Sequence, residues 1–248
     1  MFSFKQFVIK QDKCAMKVGT DGVLLGAWAD VPIMFDENTS SSFNTIHPSP
    51  RILDIGTGTG LVALMLAQRF PTAIVDAVEI DSSAAEQAKK NVECSPFASR
   101  VNVFESSIQQ FAESATARYD AIVSNPPFFE NALKNPDSQK AQARHTDSLS
   151  YRELLCVANK LLKEGGAISV ILPTGNTLTR FIEEACYQGF LVSRQTLIRT
   201  TEKKSPKRCL VELKKCRKDD VKKEEVILMN SDNTRSEWYQ NLTKDFYL

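Results

Sequence analysis

Apolar and polar residues along the chain follow two periods, one typical of strands and the other typical of helices. Short apolar runs at residues 51–55, 74–80 and 167–172 predict buried strands. A longer, mostly apolar stretch at 61–70 that stops at Pro71 and an amphipathic stretch at 82–93 predict helices between them. Strands that alternate with helices at this spacing indicate an α/β protein with a doubly wound, mostly parallel sheet.

The rest of the pattern extends this sheet to seven strands. The apolar runs at 190–198 and 209–215 have no helical stretch between them, so we expect an antiparallel hairpin at one edge of the sheet. The pair Gly165-Gly166 is expected to end a helix just before the strand at 167–172. Further predicted strands lie at 101–104 and 119–124, and further predicted helices at 149–162 and 177–188.

The first fifty residues differ in character from the rest. Residues 2–9 alternate like a short strand, and residues 21–29 are expected to form a helix. Residues 31–50 contain a serine run and three prolines, and we interpret them as a mobile linker. We therefore divide one structural domain into an N-terminal segment (1–30), this linker and an α/β unit (51–248).

Composition excludes several classes of protein. The chain has 248 residues, of which 42% are hydrophobic, enough to bury a core and too many for a disordered chain. No apolar run approaches the ~18–20 residues of a membrane span, and residues 1–10 lack the regions of a signal peptide, so we expect a cytoplasmic protein. Six cysteines without a CxxC pair, and two histidines (His47 and His145), indicate reduced thiols and no metal site.

The net charge of +1 conceals a basic C-terminal third. Residues 194–225 contain twelve Lys and Arg against six Asp and Glu, a local charge of +6, so the remaining residues sum to −5. Such a cluster is either a footprint for a polyanion or a solvated charged face, and charge alone leaves both open.

A glycine-rich loop separates the strand at 51–55 from the following helix. Gly56, Gly58 and Gly60 allow a tight turn and a close approach of backbone N–H groups to a ligand. The dinucleotide fingerprint is incomplete, because Leu61 stands where its last glycine would be. Asp54 precedes the loop, and its carboxylate would repel a pyrophosphate but attract an ammonium or sulfonium group.

Two further motifs follow strand ends, where a doubly wound sheet binds its ligands. Glu79 ends the second strand, in the place of the acid that binds a ribose diol, and its spacing from Gly56 is close to the expected ~20 residues. The sequence Asn-Pro-Pro-Phe follows the fourth strand.

The Asn-Pro-Pro-Phe motif offers two acceptors beside a stacking face. The side-chain oxygen of Asn125 and the carbonyl oxygen of Pro126 accept N–H bonds, Pro127 stiffens the turn, and Phe128 supplies a flat apolar surface. This combination predicts a receptor for a planar –NH2 group, whose nitrogen attacks more readily when both N–H groups are hydrogen bonded. These four residues are the predicted catalytic residues.

Taken together, the glycine loop, Glu79 and the Asn-Pro-Pro-Phe motif resemble those of Rossmann-like, class I S-adenosylmethionine-dependent methyltransferases that methylate amines. The resemblance covers residues 51 to about 212 and implies S-adenosylmethionine as cofactor and the strand order 3-2-1-4-5-7-6 with the last strand antiparallel. Ser107 departs from the family pattern, which usually has an aspartate near the cofactor adenine. The implied cofactor-binding residues are Lys17, Thr20, Asp54, Gly56, Thr57, Gly58, Gly60, Glu79, Ile80, Ser107, Ile108 and Asn125.

Blocks distributed over the whole chain make the resemblance more specific. Residues 4–7, 15–28, 60–69, 143–145 and 242–248 resemble the bacterial tRNA1(Val) adenine-N6 methyltransferase family. The resemblance implies methylation of N6 on the adenosine just 3′ of the anticodon of a valine tRNA.

The same resemblance implies roles for the segments and for the basic loop. Residues 1–30 are expected to act as a lid and substrate segment, and residues 51–248 are expected to form the methyltransferase domain. The implied partner is tRNA, with no membrane and no metal; the sequence leaves the oligomeric state open, and we favour a monomer. Candidates for contact with tRNA phosphates are Lys203, Lys204, Lys207 and Arg208.

Three alternatives remain from the sequence. In the first the acceptor is guanine N2 of ribosomal RNA, and in the second it is the glutamine amide of a protein. In the third the chain is a non-catalytic RNA-binding module on the same fold. The glutamine-methylating family has a helical N-terminal domain that residues 1–30 are too few to form, and the guanine-methylating family usually has a duplicated domain. The intact Asn-Pro-Pro-Phe motif argues against a non-catalytic module.

Overall fold

The computed structural model describes residues 1–14, 17–32, 49–126, 149–216 and 219–247. In chain order its strands are β1 (Phe2–Ser3), β2 (Val8–Ile9), β3 (Arg51–Ile55), β4 (Ile74–Glu79), β5 (Val101–Glu105), β6 (Tyr119–Ser124), β7 (Leu162–Pro173), β8 (Leu191–Arg199), β9 (Arg208–Lys214) and β10 (Lys222–Ile227). Its helices are α1 (Thr20–Trp28), α2 (Leu61–Arg69), α3 (Ser82–Glu93), α4 (Ile108–Ser114), α5 (Tyr151–Leu161), α6 (Asn176–Tyr187) and α7 (Glu237–Thr243).

Eight of the described strands form one sheet in the order β5-β4-β3-β6-β7-β9-β8-β10. Neighbouring strands are parallel except at β9, which runs antiparallel to both β7 and β8. When β3 to β9 are counted as strands one to seven, the order is the predicted 3-2-1-4-5-7-6. The predicted topology is therefore confirmed.

The sheet has one strand more than the seven predicted, and the hairpin of β8 and β9 does not lie at its edge. The extra strand, β10, pairs in parallel with β8 and covers it. It begins Lys-Lys-Glu-Glu, and those four residues are exposed, so the strand carries no apolar signal. Charged outer strands of this kind protect a sheet from pairing with other chains.

Three further details differ from the predicted elements. Residues 2–9 form a small hairpin of β1 and β2, closed by a 2.9 Å hydrogen bond from the Phe4 N–H to the Phe7 carbonyl, instead of a single strand. Strand β7 begins directly after α5, so the Gly165-Gly166 pair lies inside the strand. Helices α4 and α7 have seven residues each, too few for a helical period to be read from the sequence.

Helix α1 joins the N-terminal segment to the core of the α/β unit. It packs in parallel on α2, with Gly22 against Leu61 and Gly26 against Met65. A Cβ at Gly26 would lie 2.8 Å from the Met65 sulfur, so glycine permits this close approach. Most of the predicted linker, residues 33–48, lies outside the described residues.

The parallel strands bring their following loops to one edge of the sheet, which we call the carboxyl edge. The loops after β8 and β10 lie there too, because both strands run parallel to β3. At the start of β9, the Arg208 guanidinium donates a 2.8 Å hydrogen bond to the Asp21 carboxylate and brings the first turn of α1 to the same edge. Among the described helices none is long and apolar enough to cross a membrane.

Candidate active site

The glycine loop after β3 is built around left-handed backbone conformations. Gly56, Gly58 and Gly60 have φ angles of 73°, 56° and 81°, which residues with a Cβ rarely adopt. A Cβ at Gly56 or Gly58 would meet no described atom within 4 Å, whereas one at Gly60 would lie 3.5 Å from Ala88 of α3. The first two glycines therefore border open space where a ligand fits, and the third allows α3 to pack.

Asp54 lies beneath this loop. Its side chain is buried, and its Oδ2 accepts a 2.6 Å hydrogen bond from the Thr57 hydroxyl. Burial raises the pKa of Asp54 to about 7, against the opposing effects of the hydrogen bonds from Thr57 and from the Ala63 backbone. Asp54 and Thr57 support the loop from inside, and their direct contact with a ligand stays a prediction.

The raised pKa of Asp54 predicts that the ligand-free protein loses stability as the pH rises. The folded state holds the proton more tightly than the unfolded state, where the pKa is 3.8, so the stabilising contribution is complete below that value and lost as the pH passes about 7. Urea unfolding at pH 5 and pH 8 should show a fall in the free energy of unfolding that is roughly 1–3 kcal/mol larger in the wild type than in Asp54→Asn. Equal falls in the two proteins would contradict this.

Both carboxylate oxygens of Glu79 accept backbone hydrogen bonds, one from the glycine loop and one from the start of α3. Its Oε2 accepts a 2.8 Å hydrogen bond from the Gly58 N–H, and its Oε1 accepts a 3.0 Å hydrogen bond from the Asp81 N–H. Asp81 in turn caps α3, as the sequence predicts, because its side chain accepts a 2.7 Å bond from the Ala84 N–H. The carboxylate is thereby held at the end of β4, beside the open side of the loop.

Two exposed apolar side chains follow or end the neighbouring strands β4 and β5. Ile80 is 59% exposed and Phe104 is 39% exposed, and the Phe104 ring packs on Phe111 with centroids 5.1 Å apart. Exposed apolar groups beside a polar loop fit the planar part of a nucleoside. Ile80 is a predicted site residue. Phe104 is not, because it lies near the end of the outer strand β5, and its exposure there cannot be read from the alternation of residues along the strand.

Ser107 and Ile108, the other candidates for the adenine, serve the start of α4. The Ser107 hydroxyl oxygen accepts a 3.2 Å hydrogen bond from the Gln110 N–H as its N-cap. The Ile108 side chain is buried in the core cluster on that face of the sheet. Contact of either residue with a cofactor stays a prediction.

Asn125 carries an unpaired acceptor at the end of β6. Its Oδ1 is buried and has no hydrogen-bond partner within the part of the chain that the structure describes. The preceding residue, Ser124, donates a 2.9 Å hydrogen bond to the Ile55 carbonyl and so links the ends of β6 and β3. A buried acceptor without a partner costs about 1–3 kcal/mol, which a ligand N–H would recover. Pro126 is buried, whereas Pro127 and Phe128 lie outside the described residues.

The N-terminal segment is tied to the glycine loop by Asn91, a residue that sequence reasoning missed. The Asn91 side-chain amide donates 2.8 Å bonds to the carbonyls of Lys10 and Thr59, and its oxygen accepts a 3.0 Å bond from the Lys10 N–H. Burial and then the charges of Glu79 and Asp81 raise the pKa of Cys14, which follows Lys10 in this segment. The segment before α1 therefore passes beside the site.

Lys17 and Thr20, the predicted lid residues, are both exposed just after this segment. Thr20 begins α1, and Lys17 lies three residues before it. Ala15 and Met16 lie outside the described residues, as do Arg144 and His145 of the sequence block at 143–145. The structure thus brings the lid residues to the carboxyl edge, and their contact with a cofactor stays a prediction.

The predicted RNA-binding residues lie in the loop between β8 and β9, also at the carboxyl edge. Lys203, Lys204 and Lys207 are exposed. Arg208 is half-buried and forms an ion pair with Asp21, which fixes the loop to α1. Among the described residues no group of three or more His, Cys, Asp or Glu is arranged to hold a metal ion.

Comparisons with known proteins find relatives of this chain along its full length. A family model described as the methyltransferase small domain matches residues 35–196. The tRNA1(Val) (adenine(37)-N6)-methyltransferase of Bacteroides fragilis is 45% identical over all of this chain and 97% of its own length. The protein with the same description from Citrobacter koseri is 41% identical over all of this chain and 94% of its length. A solved predicted O-methyltransferase from Agrobacterium tumefaciens, 18% identical, shares the fold with a TM-score of 0.66 over 91% of this chain and 96% of its own.

Proposed function

The chain belongs to the tRNA1(Val) (adenine(37)-N6)-methyltransferase family, and from this premise we propose that it transfers a methyl group from S-adenosylmethionine to N6 of adenosine 37 in a valine tRNA. The observation that carries the proposal is the buried, unpaired Oδ1 of Asn125. It follows β6 at the carboxyl edge, the same edge as the glycine loop and Glu79. An acceptor in this place suits a substrate amine.

The acceptor explains how an adenine amine becomes reactive without a strong base. The lone pair of N6 is conjugated with the ring, so the free amine is a poor nucleophile. Hydrogen bonds from its N–H groups to Asn125 Oδ1 and to the Pro126 carbonyl favour the pyramidal nitrogen that forms as N6 attacks a methyl carbon. These bonds strengthen in the transition state, and the extra proton then leaves to solvent.

The described residues fit S-adenosylmethionine as the methyl donor. When bound, it would supply a methyl group on a positively charged sulfur, and the S–CH3 bond would break to leave a neutral thioether as the N–C bond forms. Gly56 and Gly58 leave space for its amino acid part, Glu79 lies where a ribose diol is held, and Ile80 offers an apolar face to the adenine. The family membership and the resemblance of the loop to that of amine methyltransferases support the same assignment.

The basic loop between β8 and β9 binds tRNA phosphates in this proposal. The variant Lys203→Glu with Lys204→Glu should raise the KM for tRNA about tenfold and lower the slope of log KM against log salt by about two. The matched control is Lys222→Glu with Lys223→Glu. These two exposed lysines begin β10 and lie at the amino ends of the parallel strands, across the sheet from the carboxyl edge. Steady-state kinetics over a salt series measures both, and equal slopes in the two variants would place the RNA elsewhere.

We also propose that one chain acts as a monomer in the cytoplasm, where tRNA is located. Donor-binding and acceptor-binding residues lie on the same chain and at the same edge of its sheet. Residues 1–30 act as the lid and substrate segment, 31–50 as a mobile linker and 51–248 as the methyltransferase domain; the Asn91 contacts with Lys10 and Thr59 support this arrangement.

Incubation with labelled S-adenosylmethionine and unmodified bulk tRNA, followed by nucleoside mass spectrometry, tests the proposed function. We expect N6-methyladenosine as the labelled product. A methylated guanosine would identify a different acceptor, and no labelled tRNA despite cofactor binding would overturn tRNA as the substrate.

A further inference from the structure

A cavity lies between the two ends of the chain, next to the predicted lid residue Thr20. It has a volume of about 650 Å³, and its walls come from β1, the start of α1 and helix α7. We call it the terminal cleft; the lining residues used below are Phe2, Thr20, Arg235, Tyr239, Lys244 and Tyr247. A volume of this size accommodates a nucleotide.

One wall of the terminal cleft is aromatic. The Tyr239 and Tyr247 rings are stacked with centroids 6.2 Å apart, and Phe2 lies 6.2 Å from Tyr247 in an edge-on arrangement. The Arg235 guanidinium lies over the Tyr239 ring, 4.5 Å from its centroid. Because Tyr239 is only 4% exposed, the half-buried Phe2 and Tyr247 form the part of this wall that a base can contact. Aromatic rings beside an arginine are the usual surface for unpaired bases of single-stranded nucleic acid.

The rim of the terminal cleft is basic. The side chains of Arg235 and Lys244 are exposed, and within the described ranges neither has an ion pair with a carboxylate. The Lys5 ammonium lies beside them, because it donates a 2.6 Å hydrogen bond to the Lys244 carbonyl. Cations that are not neutralised by the protein are available to phosphates.

The terminal cleft lies at the same edge of the sheet as the basic loop and the active site. The Met229 N–H donates a 3.0 Å hydrogen bond to the Thr200 carbonyl at the start of the basic loop, and Met229 pairs with Arg235 through a β-bridge. On its other side Thr20 precedes Asp21, which binds Arg208 of β9. The cleft, the basic loop and the glycine loop therefore share the carboxyl edge.

We propose that the terminal cleft binds a second, unpaired nucleotide of the same tRNA, with its base against the aromatic wall and its phosphate at Arg235 and Lys244. This inference rests on the proposed function, because it takes the ligand to be the RNA whose adenosine is methylated. A nucleotide held there adds binding free energy to the RNA whose acceptor adenine lies at Asn125. Arg235 and Lys244 act on substrate binding and leave the chemical step unchanged.

Charge reversal at the rim tests the proposal. Arg235→Glu and, separately, Lys244→Glu should each raise the KM for unmodified bulk tRNA about five- to tenfold, with kcat and the Kd for S-adenosylmethionine within twofold of the wild type. The matched control is Arg118→Glu. This exposed arginine precedes β6 at the amino ends of the parallel strands, and its replacement should leave the KM within twofold of the wild type. Unchanged KM in both rim variants would overturn the proposal.

Ultraviolet crosslinking of the wild type to the same tRNA gives a second and independent measurement. We expect nucleotide adducts on the peptides that contain Phe2 or Tyr247. Adducts confined to other peptides, together with wild-type KM values in both rim variants, would contradict the proposal. Failure of the proposed function is distinguishable, since the wild type itself would then transfer no methyl group to tRNA.

Discussion

Replacement of Asn125 by alanine should abolish most methyl transfer and leave cofactor binding intact. The wild-type Oδ1 is a buried acceptor without a described partner, and in the proposed mechanism it accepts an N–H of the attacking amine. Loss of one such preorganised group typically lowers kcat about 100- to 1000-fold, because the interaction is stronger in the transition state than in the ground state. Single-turnover kinetics at saturating tRNA and calorimetric titration of S-adenosylmethionine measure the two effects separately.

The matched control for this substitution keeps an oxygen acceptor in place. Asn125→Asp should retain more activity than Asn125→Ala, because one carboxylate oxygen replaces the amide oxygen. The end of β6 is held independently by the hydrogen bond from Ser124 to Ile55, so neither variant should unfold. Near-normal turnover in Asn125→Ala would refute its catalytic role.

Replacement of Glu79 by alanine should weaken cofactor binding more than any other single change in the loop region. The variant loses the hydrogen bonds to the N–H groups of Gly58 and Asp81 as well as the proposed ribose contact. Together these changes should raise the Kd for S-adenosylmethionine about 10- to 100-fold, equivalent to roughly 1.4–2.7 kcal/mol. Isothermal titration calorimetry measures the Kd directly.

Glu105 provides the matched control, because it lies opposite Glu79 in the register of β4 and β5. Its side chain is far more exposed than that of Glu79, and its ion pair with Lys89, 3.9 Å long, is a surface pair of small value. Glu105→Ala should keep the Kd within twofold of the wild type. Equal effects of the two substitutions would show that Glu79 acts only through the general charge of this edge.

The strand order could be predicted because the apolar runs are strong and the glycine loop marks the first strand of the sheet. Strand β10 could not be predicted, since its charged residues pair through the backbone at an exposed edge and leave no apolar period. Helix α4 could not be predicted for a different reason. It has seven residues, which make about two turns, and three of them (Ile108, Phe111 and Ala112) are buried, too few to establish a helical period.

The positions of the candidate site residues could likewise be predicted from their places after strand ends, but their contacts could not. The Asn91 bonds join residues 10, 59 and 91, and the ion pair of Asp21 with Arg208 joins α1 to β9. Such contacts depend on how α1 packs on α2, which no local pattern specifies. The same holds for the terminal cleft, whose walls are more than 200 residues apart in sequence.

The most direct test of the central claim is the stoichiometry of methylation of a single tRNA. An unmodified transcript of tRNA1(Val) should accept one methyl group from labelled S-adenosylmethionine, recovered as N6-methyladenosine, and a transcript with guanosine in place of adenosine 37 should accept none. Equal incorporation into both transcripts, or a product other than N6-methyladenosine, would contradict the account.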